Sequence, residues 1–118
     1  MKYVNEKEII PLEFPGRSLT VLFSPHNGAE EMTTAISKVP PGGMLPWHVH
    51  ETSEEIIYVM QGEGLAHHES LKEPIRIFPG ITLYMPKGKK HSIENKGAVE
   101  MRLYCAFSPA IKFTSPSK

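Results

Sequence analysis

Residues 42–62 read GGMLPWHVHETSEEIIYVMQG, and the way this stretch is partitioned decides the fold class. Glu55 to Gln61 is a short, mostly β-branched and aromatic run closed by Gly62-Glu63-Gly64, which predicts a strand. Leu45 to His50 is a second short extended segment, set off from the first by the polar link Glu51-Thr52-Ser53-Glu54. Side chains two apart on a strand leave the same face, so His48 and His50 project together. If the polar link closes a hairpin, Glu55 lies across from His50 with about 5 Å between Cβ atoms. Two imidazoles and a carboxylate then share one space, the local half of a metal site. Taken alone, the segment also reads as two partly exposed histidines and an ordinary solvated turn.

Outward from this stretch the same punctuation continues in both directions. Towards the N-terminus, Arg17 to Phe23 and Thr33 to Val39 are β-branched, apolar runs bounded by Pro and Gly, and His26 to Met32 reads as a turn or loop. Only Gly28 to Thr34 looks faintly helical. Towards the C-terminus the strand-like runs are Leu65 to Glu69, Ile75 to Phe78, Ile81 to Met85, His91 to Glu94 and Met101 to Phe107. The chain carries 11 prolines and 9 glycines at short intervals, so its elements are short, and regularly spaced short strands predict an all-β sandwich or barrel. With 118 residues and no linker, low-complexity segment or repeat, residues 1–118 read as one domain.

Bulk composition narrows the function classes. The 13 basic and 13 acidic residues cancel, with no basic stripe of the kind a nucleic-acid partner requires. No apolar run approaches the ~20 residues of a membrane helix. The charged stretch Met1 to Phe14 lacks the apolar core of a secretory signal. The single cysteine, Cys105, excludes an internal disulfide, suits a reducing compartment and reads as a core residue. A cytoplasmic address is the expectation, with neither nucleic acid nor membrane as partner.

A second motif lies downstream: Gly80-x5-Pro86-x-Gly88-x2-His91-x3-Asn95. Together with Gly42-x5-His48-x-His50-x4-Glu55-x6-Gly62, it closely resembles the paired signature motifs of the cupin superfamily, here that of a small single-domain cupin. The two motifs run from 42 to 62 and from 80 to 95, and the short stretch between them, Glu63 to Pro79, resembles that of compact members. The resemblance implies a double-stranded β-helix, a jelly-roll barrel, with His48, His50, Glu55 and His91 as the ligands of one divalent metal ion. Three imidazoles and a carboxylate suit Mn, Fe, Co, Ni, Cu or Zn and disfavour Ca or Mg. The spacing to Gly62 and the hairpin geometry select Glu55, with its neighbour Glu54 as the alternative. Gly62 and Gly80 are expected at turns with positive φ, Pro86 and Gly88 form the turn that delivers His91, and Asn95 is expected to bond backbone rather than metal. Ile81 departs from the pattern, since many relatives place an acidic residue there.

Parity with the ligands predicts the barrel wall: Met44, Pro46, Ile57, Val59, Leu83, Met85 and Ile93 should line a mostly apolar substrate pocket. No inward Arg or Lys emerges, which disfavours a sugar phosphate or dicarboxylate. Of the adjacent His67 and His68, His68 is in phase with Gly62 and Gly64 and is the candidate for a proton-transfer role beside Glu55; a surface pair near a turn is the alternative. The resemblance implies a metalloenzyme acting on a small organic molecule, with dioxygenase-like oxidative chemistry favoured over isomerase, lyase or decarboxylase chemistry. The alternative from another class is a module that binds or senses a metabolite or metal without turnover. Small cupins commonly pair, so a homodimer is expected, with Arg17 to Phe23 as an exchanged strand or with Tyr58, Met60 and Tyr84 as the apolar contact.

Overall fold

The computed structural model describes residues 1–113. Alternation along the chain fixes the buried side of each long strand. Glu54–Gln61 (β5) buries Glu55, Ile57 and Val59 and exposes Ile56, Tyr58 and Met60. Met101–Ser108 (β10) buries Met101, Leu103, Cys105 and Phe107 on the same plan. These two strands pair antiparallel at the centre of a six-stranded sheet. Its other members are Leu12–Phe14 (β1), Arg17–Phe23 (β2), Thr33–Val39 (β3) and Thr82–Met85 (β8), in the order β1-β2-β3-β10-β5-β8. Met44–His48 (β4), Gly64–His68 (β6), Ile75–Ile77 (β7) and His91–Asn95 (β9) form the second sheet, in the order β4-β9-β6-β7. Every pairing is antiparallel.

The chain passes from one sheet to the other between β3 and β4 and again between β4 and β5, and from β5 onward it changes sheet at every step except the β6–β7 hairpin, which is the path of a jelly roll. Leu45, Ile57, Val59, Ile77, Ile93 and Leu103 fill the space between the sheets. Each such side chain contributes about 2 kcal/mol on removal from water, so the core is what holds the two sheets face to face. Gly64 lets β6 and β9 approach, because a Cβ there would collide with the Glu94 carbonyl. Asn95 bonds backbone, as its place in the motif predicts: Nδ2 donates to the carbonyls of Val39 (2.8 Å) and Val99 (2.9 Å), and Oδ1 accepts from the Gly97 N–H.

The bounds of β2 and β3 agree with the sequence reading, and the other predicted strands shift by a residue or two at their ends. The differences lie elsewhere. Gly28 to Thr34 is not helical: Pro25–Asn27 forms a single 3-10 turn capped by Ser24, and Thr33 already belongs to β3. Leu12–Phe14, unassigned from sequence, is an edge strand joined to β2 by Pro15-Gly16, with Gly16 at φ 80°. Within the chain, Arg17 to Phe23 is paired on both edges, with β1 on one side and β3 on the other.

Candidate metal centre

Two rows of residues face each other across the barrel. In the larger sheet Phe107, Glu55 and Met85 are directly opposed on β10, β5 and β8. In the smaller sheet His48, His91 and His68 are opposed on β4, β9 and β6. Partners opposed in an antiparallel ladder share a face, so sheet register alone brings Glu55 towards His48 and His91. His50 joins from beyond the end of β4. Its carbonyl accepts from the Gly88 N–H (2.8 Å), and farther along the same connection the buried Ser53 hydroxyl donates to the Pro109 carbonyl (2.7 Å). The Pro86-Gly88 turn, with Gly88 at φ 75°, therefore fixes both the start of β9 and the position of His50.

The result is a compact group: one donor atom from each of His48, His50, Glu55 and His91 lies within 4.8 Å of all the others. Donors on opposite sides of an ion at about 2.1 Å stand about 4.2 Å apart, so small side-chain adjustments of about half an ångström would bring these four around one centre. His91 Nε2 and His50 Nε2 approach Glu55 Oε1 at 3.4 and 3.6 Å. Glu55 Oε1 and His91 Nε2 are both buried and neither has a hydrogen-bond partner among the described residues. A cation held between them would satisfy both. His48 Nδ1 lies 2.7 Å from the Pro46 carbonyl, which accepts its proton and leaves Nε2 as the ligating atom.

The histidines are poised for that role. His48 and His50 are both lowered to about 4 from 6.5, His48 by burial and then by His91, and His50 by burial and then by His91 and Arg17. Both are neutral at pH 7, so the approach of His50 to Glu55 is not an ion pair. Burial and the adjacent Glu55 carboxylate push the Cys105 thiol well above its ordinary value, so it is an inert interior group beside the site. Glu54 points outward, where it accepts from Tyr84 Oη (2.8 Å).

Glu55 reaches His50 by a different route from the hairpin read in the sequence. β4 and β5 belong to different sheets, and residues 49–53 carry the chain across the barrel. The wall also differs at β4. Pro46 is exposed and Met44 only half-buried, whereas Leu45 is buried in the core. A register shift between Leu45 and His48 sets an extra residue against β9, so Leu45 and His48 both face inward and simple parity fails. Ile57, Val59, Met85 and Ile93 are buried in the core, with Leu83 packed against it. His68 lies in the His91 row, outside the four-residue group. His67 faces the other side, its Nε2 2.5 Å from Glu94 Oε1 and its ring beside the exposed Trp47. Parity missed Arg17, a half-buried cation near enough to His50 to depress it.

Residues 35–107 match the model of the cupin domain, a span that contains all four donors. The chain belongs to the cupin family. It is 38% identical over 64 residues to an oxalate-binding protein of Thermotoga maritima, covering 54% of this chain and 51% of that protein. It is 30% identical over 109 residues to polyketide synthase CurC of Streptomyces cyaneus, covering 92% of this chain and 70% of that protein. Among solved structures, a predicted oxalate decarboxylase of Thermotoga maritima superposes with a TM-score of 0.78 at 27% identity, over 92% of this chain and 99% of that one. The match to the oxalate-binding protein thus spans about half of that relative's length.

Two measurements probe the cupin centre directly. Glu55→Gln and His91→Ala should each lower the affinity for Mn(II), followed by titration calorimetry, by roughly 100-fold or more, beyond the 10–100-fold typical of supporting residues. Glu54→Gln should leave it unchanged; equal losses at 54 and 55 would refute the assignment of the carboxylate. The second concerns pH. In the unfolded chain His48 and His50 bind protons near 6.5, and in the folded chain near 4. Between those values the unfolded state holds more protons, so stability is full above about pH 6.5 and declines towards pH 4. Thermal melts of the metal-free protein from about pH 7 to 4.5 should show this fall, and a His48→Gln/His50→Gln double variant should flatten it.

Proposed function

We propose that this cupin is a metal-dependent enzyme that transforms a small organic molecule at the centre formed by His48, His50, Glu55 and His91. The observation that carries this reading is the convergence of four donors on one point, with Glu55 Oε1 and His91 Nε2 buried and unpaired. Four protein donors leave two positions on a six-coordinate ion for substrate or co-substrate, an arrangement suited to catalysis rather than to purely structural binding. A borderline divalent ion there supplies Lewis-acid polarisation and, if redox-active, electrons for oxidative chemistry. The chain supplies the remainder. Ile57, Val59 and Ile93 keep water from the back of the site. Glu55 is the acidic group placed to accept a substrate proton. His68 stands next in the row, available for proton transfer. Dioxygenase-like chemistry is the leading class, ahead of isomerase, lyase and decarboxylase reactions.

A second reading is reversible binding of a small carboxylate without turnover. It is supported by the name of the oxalate-binding relative and by the nearby Arg17 cation. Aerobic screening of small organic compounds with Fe(II)- or Mn(II)-loaded protein, read by oxygen uptake and mass spectrometry, separates the two. Product that forms with wild type and not with Glu55→Gln supports the enzyme. Oxalate binding with no product from any compound supports the binding module instead.

We further infer a homodimer formed through the outer face of the larger sheet. There Ile56, Tyr58, Met60, Tyr84 and Tyr104 are exposed together, Tyr58 opposed to Tyr104 and Ile56 to Tyr84. An apolar patch of this kind on a small domain favours self-association. Light scattering at micromolar concentration should give twice the chain mass, reduced to the chain mass by Tyr58→Glu/Tyr104→Glu. A monomer mass for wild type would refute it.

A further inference from the structure

Away from the metal centre, a cavity of about 340 Å³ lies between the N-terminal segment, strands β1 and β2 and the C-terminal segment. Ile9, Leu12, Val21 and Phe113 form its apolar side, each of them only half-buried. Ser24, His26 and Lys112 form its polar side, and among the described residues no Asp or Glu lines it. The volume falls within the about 300–1,000 Å³ of pockets that hold small molecules. None of the four metal donors belongs to its wall. A pair of aromatic rings stands between the two places: Phe113 packs against Phe107 at 5.2 Å, and Phe107 against His50 at 5.0 Å.

Backbone hydrogen bonds bring the polar groups to one end. The Thr33 hydroxyl donates to the Ile111 carbonyl (2.7 Å) and accepts from the Ile111 N–H (2.9 Å), which ties the C-terminal segment to the start of β3. The next residue, Thr34, is opposed to Phe23 at the end of β2, so Ser24 and Ile111 lie at the same end of the larger sheet. Ser24 is only 7% exposed, and its Oγ accepts from the His26 backbone N–H (3.2 Å). A hydroxyl carries one proton besides its lone pairs, so that contact leaves the Ser24 O–H to donate. Lys112 is exposed and takes part in no ion pair among the described residues. A hydroxyl donor, an ammonium and an imidazole thus border apolar walls, and no carboxylate of the wall balances them.

We propose that this cavity is a binding site for a small amphipathic carboxylic acid, its apolar body against Ile9, Leu12, Val21 and Phe113 and its carboxylate at Lys112, His26 and the Ser24 hydroxyl. Half-open apolar side chains gain from an apolar occupant that removes them from water. A carboxylate is the acceptor that serves an ammonium and a hydroxyl together, through charge-assisted hydrogen bonds. Lys112 disfavours a cationic ligand, and a hydrocarbon leaves the Ser24 proton unused. The site is separate from the metal centre and does not depend on the enzyme reading.

The test uses phenylacetate and its neutral isostere phenylacetamide, titrated at low salt into the full chain and followed by methyl and amide NMR shifts. Metal-free and Zn(II)-loaded protein should give the same result. Both compounds should shift the methyls of Ile9, Leu12 and Val21, with the acid bound about tenfold more tightly than the amide. Lys112→Met should weaken the acid about fivefold and the amide less than about twofold, and Lys112→Arg should restore acid binding. Ser24→Ala, which leaves the charge of the site unchanged, should weaken the acid about threefold. Leu12→Trp, which fills the space from an edge strand, should abolish binding of both. No shifts at these methyls, equal affinities for acid and amide, a Lys112→Met loss shared equally by both, or wild-type acid affinity in Ser24→Ala overturns the proposal. Acid binding confined to Zn(II)-loaded protein, with shifts at Ile57 and Val59 instead, places the compound on the metal ion and overturns it as well.

Discussion

At the centre of this protein one oxygen of a carboxylate, Glu55 Oε1, has been taken out of water without a hydrogen-bond donor to receive it among the described residues. Glu55 is 4% exposed, and its Oε1 meets ring nitrogens of His50 and His91 instead of an N–H or hydroxyl. A buried carboxylate left in that state costs several kcal/mol. Protonated histidines would relieve it, but burial holds His48 and His50 near 4, so at neutral pH those two rings contribute lone pairs and no charge. A cation shared among these atoms would satisfy the ring lone pairs and the carboxylate oxygen together. The metal reading therefore rests on unpaired interior atoms as well as on which residue types are present.

The barrel makes that convergence cheap to specify. Once β9 is paired with β4 and β5 with β10, ladder register leaves little freedom in where His48, His91 and Glu55 point. His50 is the exception, because it lies beyond its strand and depends on the Gly88 N–H and on the packing of its ring edge against Phe107 at 5.0 Å. The loop that carries it is tied to the motif that carries His91, so one backbone hydrogen bond links the two halves of the centre.

How much of this was legible follows from the range of each constraint. β2 and β3 were readable from local composition, since β-branched runs between Pro and Gly breakers need no tertiary information. The four donors were readable because two motifs fix them by spacing. What the sequence did not carry is the sheet to which each strand belongs. Leu45 to His50 followed by a polar link and a second strand has the pattern of a hairpin, and only the competition of β9 for β4, and of β10 and β8 for β5, places the two in different sheets. The β4 irregularity has the same origin. Pro46 cannot donate to a ladder, and the extra residue before His48 turns Pro46 and Trp47 outward and Leu45 inward, so the parity rule that succeeded on β5 failed on β4. Arg17 was missed because parity counts only the strands that bear ligands, whereas a long side chain from a neighbouring strand can act across the gap between sheets.

The rows that form the centre are also asymmetric, and the asymmetry gives the site a direction. On one flank Phe107 packs edge-on to His50 at 5.0 Å and against Phe113 at 5.2 Å, so aromatic rings close that side of the donors. On the opposite flank the rows end in Met85 and His68, beside a cavity near the edge strands β7 and β8 whose wall includes none of the four donors. A molecule that approached through the Phe107 side would have to displace packed aromatic surface, whereas the Met85 side offers existing space and a flexible thioether that can repack at little cost. The centre itself meets solvent at His48 and His50, which are only partly buried, with Glu55 and His91 buried behind them, so the topology that buries Glu55 also sets the side from which it can be reached.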